Sequence, residues 1–262
     1  MLRERFRYEK RGPMRFVSHR DLMRIFRRCF AAAGVPVCFS QGFNPHPRFS
    51  FGPSLRTGWE GLDEYLDVLL DSPAEDLSGR CNRFLPDGLR VLETGSVGQA
   101  VRKLAADVTG ARYEIFLDPA DVFDRRPDPE QPLLDDSSEE KRESGSPGPG
   151  RVLDNLEAAI RNRFSPAEAP RSTPERVEPP APVVLEVRCA APEDTPDGWI
   201  SIKYLSTMHG GRSLFPEDVL TPFLGDPSCY RVPIRVVRRS LYVDRLGEFV
   251  SPMSRAAMET QA

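Results

Sequence analysis

The chain has 262 residues, an apolar share of 39%, 26 prolines and a formal net charge of −3. That is enough to bury a core as one large domain or two small ones, and the proline surplus points to linkers outside it. Its five cysteines, Cys29, Cys38, Cys81, Cys189 and Cys229, form no CxxC pair, which argues against a zinc knuckle or an iron–sulfur cluster of the chain's own and favours reduced, hydrophobe-like thiols.

Met1–Arg15 is charged throughout, unlike a secretory leader, and no apolar run is long enough to span a bilayer. A soluble, cytoplasmic protein with no membrane partner is expected. Charge is unevenly distributed: residues 1–50 hold eleven Lys/Arg against three Asp/Glu, and residues 51–100 hold four against nine. Either one surface is made for an anionic partner or the two charge sets face each other across the fold. Clustering of the cations in one helix and its flanks favours the former.

In chain order, Arg3–Arg11 alternates charged residues with Phe6 and Tyr8, the period of a half-buried strand. Gly12-Pro13 interrupts it. Ser18 followed three positions later by Asp21 is a capping-box pattern that opens a helix. Leu22, Ile25, Phe26, Cys29, Phe30 and Ala33 share one face of it, Arg20, Arg24, Arg27 and Arg28 share the other, and Gly34 ends it. Strands are predicted over Val35–Ser40, continuing at Arg48–Phe51, and over Glu64–Leu70, then a helix over Pro73–Phe84 and a strand over Leu89–Thr94. The order β-α-β-β-α-β is the ferredoxin-like split βαβ.

The same order recurs downstream, as a strand at Arg112–Leu117, a helix at Val152–Phe164, strands at Val183–Cys189 and Trp199–Leu205, a proline-started helix at Pro216–Leu224 and a strand at Tyr230–Val243. The expected fold is α+β: two ferredoxin-like halves, residues 1–106 and 107–250, with a tail at 251–262. Residues 119–150 and 165–182, the latter with six prolines, lack apolar periodicity and read as long disordered insertions.

Two features carry candidate chemistry. Arg20, Arg24, Arg27 and Arg28 form a stripe of guanidiniums able to grip phosphates, unless it is simply a solvated face with local ion pairs. Residues 40–53, SQGFNPHPRFSFGP, make a stiff, basic, aromatic ribbon whose turn Asn44-Pro45-His46-Pro47 is fixed by two pyrrolidine rings. Phe39, Phe43, Phe49 and Phe51 are suited to stacking on bases, although Phe49 and Phe51 fit a core equally well; Arg48 is suited to a phosphate. Candidate binding residues are thus Arg20, Arg24, Arg27, Arg28, Phe43, Asn44, His46 and Arg48. His19, in the first helical turn, is held neutral by the helix dipole. If it met His46, with Asp21 or Asn44, an acid–base pair or a metal site would result, but the spacing does not require them to meet and no metal site is assigned. His19, His46 and Asp21 are the catalytic candidates. His209, before Gly210-Gly211 and Arg212, either lets backbone amides approach an anion or turns a loop.

On SHRDLMR (18–24), AGVPVCFSQGFNPHPRFSFGPSLRTGWEG (33–61) and EYLD (64–67), the chain resembles the radical SAM-linked protein family. The likeness is dense from Arg5 to Leu70 and thinner at GGRSLFPEDVL (210–220) and IRVVRRSLYVD (234–244). Members occur as separate small proteins or fused behind a cobalamin-binding radical SAM enzyme. The resemblance implies a radical SAM protein as partner and no cofactor held by this chain itself. Arg20 stands where the family has an apolar residue, and the family's later basic segment is not recognisable here. The doubled fold order also resembles the CRISPR repeat-processing endoribonucleases. Three expectations follow: an accessory protein, more an adaptor than an enzyme, presenting an anionic substrate such as RNA to a radical SAM partner; a metal-independent endoribonuclease; or a protein–protein scaffold that ignores RNA.

Overall fold

A computed structural model describes residues 1–98, 101–123, 149–165, 182–191, 198–209, 212–225 and 234–258. The fold is mixed α/β and rich in strands, and the chain divides into two compact units, Met1–Ala111 with Val237–Ala262, and Arg112–Val236.

The first unit begins with β1 (Leu2–Lys10), a 3-10 turn (Gly12–Phe16) and α1 (His19–Ala32). Ser18 starts α1 by accepting the Asp21 N–H at 3.2 Å. The helix stops at Gly34, whose φ of 62° suits glycine; Gly34 N–H returns to Ala31 O and Val35 N–H to Phe30 O, satisfying carbonyls that the helix leaves over. Arg80 donates to the carbonyls of Ala33 and Gly34 at 2.7 and 2.6 Å, placing a cation at the negative end of the dipole. Leu22, Phe26, Cys29 and Phe30 of α1 are buried in one cluster with Phe6 and Tyr8.

β2 (Phe49–Phe51), β3 (Glu60–Leu70), α2 (Leu77–Asn82) and β4 (Leu89–Val97) follow. The β-α-β-β-α-β order expected of this stretch is present, and the strands lie β4-β1-β3 with β2 on β3, each neighbour antiparallel. Two element boundaries are corrected. Val35–Ser40 forms isolated bridges, Val37 with Leu70 and Phe39 with Pro47, instead of a strand, because Pro36 has no N–H with which to continue a ladder. The second helix covers Leu77–Asn82 rather than Pro73–Phe84, opening at Asp76, whose carboxylate accepts the Gly79 N–H.

After α3 (Leu104–Asp107), β5 (Gly110–Leu117) leads into the second unit. There α4 (Pro119–Phe123), α5 (Pro149–Arg163), β6 (Val184–Ala190), β7 (Ile200–His209), β8 (Arg212–Ser213) and α6 (Pro216–Leu224) follow. β7 lies between β5 and β6, and Tyr113 stacks on Tyr204 at 5.3 Å within the core. The insertions expected at 119–150 and 165–182 fall mostly outside the described residues; within their bounds, Pro119–Phe123 and the start of α5 are helical.

From Val237 the chain belongs to the first unit again. β9 (Arg235–Arg245), expected to begin at Tyr230 in the second half, pairs parallel with β3 at Glu60–Val237 and Gly61–Arg238; residues 230–233 lie outside the described set. β10 (Glu248–Val250) folds back on β9, and α7 (Arg255–Met258) follows. The stretch expected as a tail from residue 251 is docked here: Pro252 O accepts from buried Arg5 at 2.8 Å, and Met253 is buried.

Two ion pairs anchored on β3 are buried. Arg5 meets both oxygens of Asp67, at 2.7 and 3.0 Å, and Arg238 meets both oxygens of Glu64, at 2.8 and 2.5 Å. Removing one partner strands the other charge in a dry site. Arg238→Leu is expected to lower the unfolding free energy by about 3–5 kcal/mol, read by urea unfolding through Trp59 fluorescence in a Trp199→Phe background. The double change Glu64→Leu/Arg238→Leu should recover most of that loss.

Candidate functional site

The cations of the first quarter divide into two classes. Three on β1 and the 3-10 turn face acids of β3 and β4: Arg5 with Asp67, Arg7 with Asp63 at 2.6 Å and Glu93 at 3.3 Å, and Arg15 with Glu60 at 3.5 Å. For these, the two charge sets do face each other across the fold. Arg3 and Lys10 donate to backbone carbonyls instead, Arg11 lies 3.5 Å from Glu9, and the remainder are on α1 and on the ribbon.

The buried face of α1 carries Leu22, Phe26 and Phe30, so the 100° step per residue turns Arg20, Arg24, Arg27 and Arg28 outward together, and all four are exposed. Asp21 is taken up locally: it accepts from Ser18 Oγ at 2.8 Å and from Arg24 at 2.7 Å. The Ser18 hydrogen bond, then Arg24, hold its carboxyl below the usual range. Arg27 and Arg28 have no ion pair among the described residues.

His19 faces the core instead of the arginines. Its ring sits edge-on to Phe51 at 5.1 Å, beside buried Tyr8, Lys10 and Glu64. Lys10 Nζ donates to Val17 O at 2.8 Å and Arg15 O at 3.4 Å. The space next to the imidazole is about 10 Å³, room for no more than one water. Burial, then the Lys10 charge, push the His19 pKa down.

The ribbon folds as a hairpin hung on β3. Cys38 N–H donates to Leu69 O, Leu69 N–H to Arg48 O and Arg48 N–H to Cys38 O, at 2.8, 2.9 and 2.8 Å. Ser40 N–H donates to His46 O, and His46 N–H donates to Ser40 Oγ at 2.9 Å. Beyond this clamp Phe43 is wholly exposed, and Asn44 and His46 are exposed. Phe49 and Phe51 take the core alternative, with Phe51 against Tyr8 and Phe26 and Phe49 against Phe30.

The structure does not bring the two histidines together. His19 packs on Phe51, whereas His46 lies five residues earlier along near-extended backbone, a separation on the order of 15 Å. No hydrogen bond or ring contact joins His46 to His19, Asp21 or the α1 arginines among the described residues, and no group of three or more His, Cys, Asp and Glu there is placed to hold a metal ion. The His209 side chain, Gly210 and Gly211 lie outside what is described.

At the base of the hairpin a cavity of about 600 Å³ opens, lined by Arg48, Ser50, Asp67, Leu69, Arg3 and Lys103 with Met1 and Phe49. Of these, Arg48 was readable as a phosphate-binding residue and Phe49 as a stacking or core residue. Arg3 is legible at most as the outward partner in the β1 alternation, and no sequence signal marks Lys103. No helix among the described residues is long and apolar enough to cross a membrane.

A family model described as "Uncharacterized protein conserved in bacteria (DUF2344)" matches residues 3–146. No curated protein matches the chain. Among solved structures, Thermus thermophilus Cse3 bound to an RNA representing a pre-cleavage complex is similar at 13% identity over 89% of this chain and 98% of that one, with a TM-score of 0.25; a likeness of that size carries no argument about site or function.

His19 supplies a pH signature. Its folded pKa lies below its unfolded value of about 6.5, so the unfolded chain binds the proton first. The stability this contributes is complete above pH ~6.5 and is lost as pH falls through the folded pKa. Histidine NMR titration should place His19 below about 6.5, and His19→Gln should flatten the fall of the urea midpoint between about pH 7 and 5.

Proposed function

The chain belongs to this family of conserved bacterial proteins, and we propose that it is a non-catalytic accessory protein that presents an anionic substrate, RNA by preference, to a radical SAM partner. One observation carries the RNA part: the outer face of α1 displays four exposed guanidiniums, two of them with no ion pair among the described residues, on a helix capped at both ends. Such a face gains affinity by releasing counterions from phosphates. The hairpin adds exposed Phe43, whose ring suits base stacking. Partnership with a radical SAM enzyme is supported by the sequence resemblance around GFNPHP and EYLD. A ferredoxin-like first half is supported by the sheet order β4-β1-β3-β2 of the first unit, and the order of elements from β5 to β9 supports a second half of the same kind. Fold alone does not name the activity.

The endoribonuclease reading needs a general acid–base pair, and His19 has neither a nearby His46 nor space for a substrate. The triple change Arg24→Ala/Arg27→Ala/Arg28→Ala is expected to abolish tight binding of a structured RNA by the full chain while leaving its circular dichroism unchanged. The slope of log affinity against log salt should fall by about 2–3. Phe43→Ala should weaken binding by about 1–3 kcal/mol. Fluorescence anisotropy at several salt concentrations measures each effect. RNA affinity unchanged by the triple substitution would overturn the reading, and wild-type chain that ignores RNA would leave the scaffold alternative. Co-purification of a radical SAM protein with the tagged full chain tests the partnership.

A further inference from the structure

The cavity at the base of the hairpin has a charge balance that the protein itself leaves open. Arg3 is half-buried and donates through Nη2 to the carbonyls of Gly98 and, at 2.8 Å, Val101; both acceptors are neutral, so the guanidinium is oriented without being discharged. Arg48 has its backbone clamped between Cys38 and Leu69, and among the described residues its side chain hydrogen-bonds only the weakly accepting Sδ of Met1 at 3.7 Å. Lys103 is exposed with no ion pair among the described residues. Among the described residues one carboxylate lines the cavity, that of Asp67, and both its oxygens are already held by Arg5. Among the described residues the wall therefore presents three cationic side chains, a Ser50 hydroxyl and no unmatched carboxylate.

Size and polarity narrow the occupant. A cavity of about 600 Å³ falls within the range of roughly 300–1,000 Å³ typical for organic ligands, far more than a bare phosphate fills. Leu69, Phe49 and Met1 add apolar wall that an inorganic ion or a sugar phosphate would leave wet. A dianionic head with a flat, largely apolar body satisfies both parts, and guanidiniums grip such a head in pairs.

We propose that this cavity is a mononucleotide site, taking a nucleoside 5′-monophosphate either free or as the phosphorylated end of an RNA. The phosphate is held among Arg3, Arg48 and Lys103, with Ser50 as a neutral donor, and the base lies over Leu69. The assignment deepens the anion-presenting reading, on which it rests, because Arg48 belongs to both.

The test is calorimetric titration of the full chain with adenosine 5′-monophosphate, adenosine and ribose 5-phosphate. The nucleotide should bind at least about tenfold more tightly than either fragment, and Arg48→Ala and Lys103→Ala should each weaken it by about tenfold or more. Both residues are exposed, so unchanged thermal midpoints will show that the variants are folded. A 5′-phosphorylated RNA preferred over its 5′-hydroxyl counterpart, with the preference lost in Arg48→Ala, identifies the RNA end as source; nucleotide binding without that preference identifies the free nucleotide. No nucleotide binding, equal binding of adenosine, or binding indifferent to both substitutions overturns the site. The α1 triple variant should bind the nucleotide as wild type does, so failure of the helix reading and failure of the cavity are read separately.

Discussion

The first unit is organised around carboxylates buried on both faces of one strand. In β3, Asp67 faces one way and takes the Arg5 guanidinium, while Glu64 faces the other and takes Arg238. Pairs of this kind are not strong stabilisers relative to apolar residues of the same size, because desolvating both charges cancels most of their attraction. What they impose is register. Arg5 lies directly opposite Asp67, and a slip of one residue would turn Asp67 to the other face and leave two charges buried without partners. The same geometry dictates a glycine: a Cβ on Gly61 would lie 2.5 Å from Glu64 Oε1, where the backbone of β3 also receives β9.

Part of the charge asymmetry along the chain follows from this arrangement. The basic strand and the acidic strand after it are neighbours in the sheet, and Arg5, Arg7 and Arg15 are matched by Asp67, Asp63, Glu93 and Glu60. Once these are set aside, the cations left for recognition are those on α1 and those around the cavity. The surplus of positive charge is thus smaller than the sequence total suggests, and it is more sharply placed.

How much of this was legible depends on range. The helix and strands near Phe6, Phe26 and Leu66 are readable because their apolar spacing is local and each element buries one face. Arg5 is not. Alternation with Phe6 makes it look solvent-facing, yet it is buried because residues 251–253, nearly two hundred and fifty positions away, cover that side. EYLD and IRVVRRSLYVD both carried the family resemblance, and only the fold shows that Glu64 of one holds Arg238 of the other. His19 misled for a related reason: its place at a helix start is visible in the sequence, but the direction of its ring depends on where Phe51 comes to lie. Arg3 and Lys103 meet only through the cavity, and no periodicity links them.

The hairpin shows how structural and recognition charges depend on one another. Both arms are tied to Leu69 of β3, which accepts from Cys38 and donates to Arg48. Two positions back along β3 is Asp67, fixed by Arg5. The ribbon therefore inherits its position from the register that the buried pair sets: Arg48 is placed at the cavity mouth and the Asn44-Pro45-His46-Pro47 turn extends beyond the sheet with few rotatable backbone angles left. A mobile arginine on a free loop would lose conformational entropy on gripping a phosphate. Here the backbone part of that cost is met during folding, which is the physical reason for a stiff, aromatic, basic ribbon to follow the first helix.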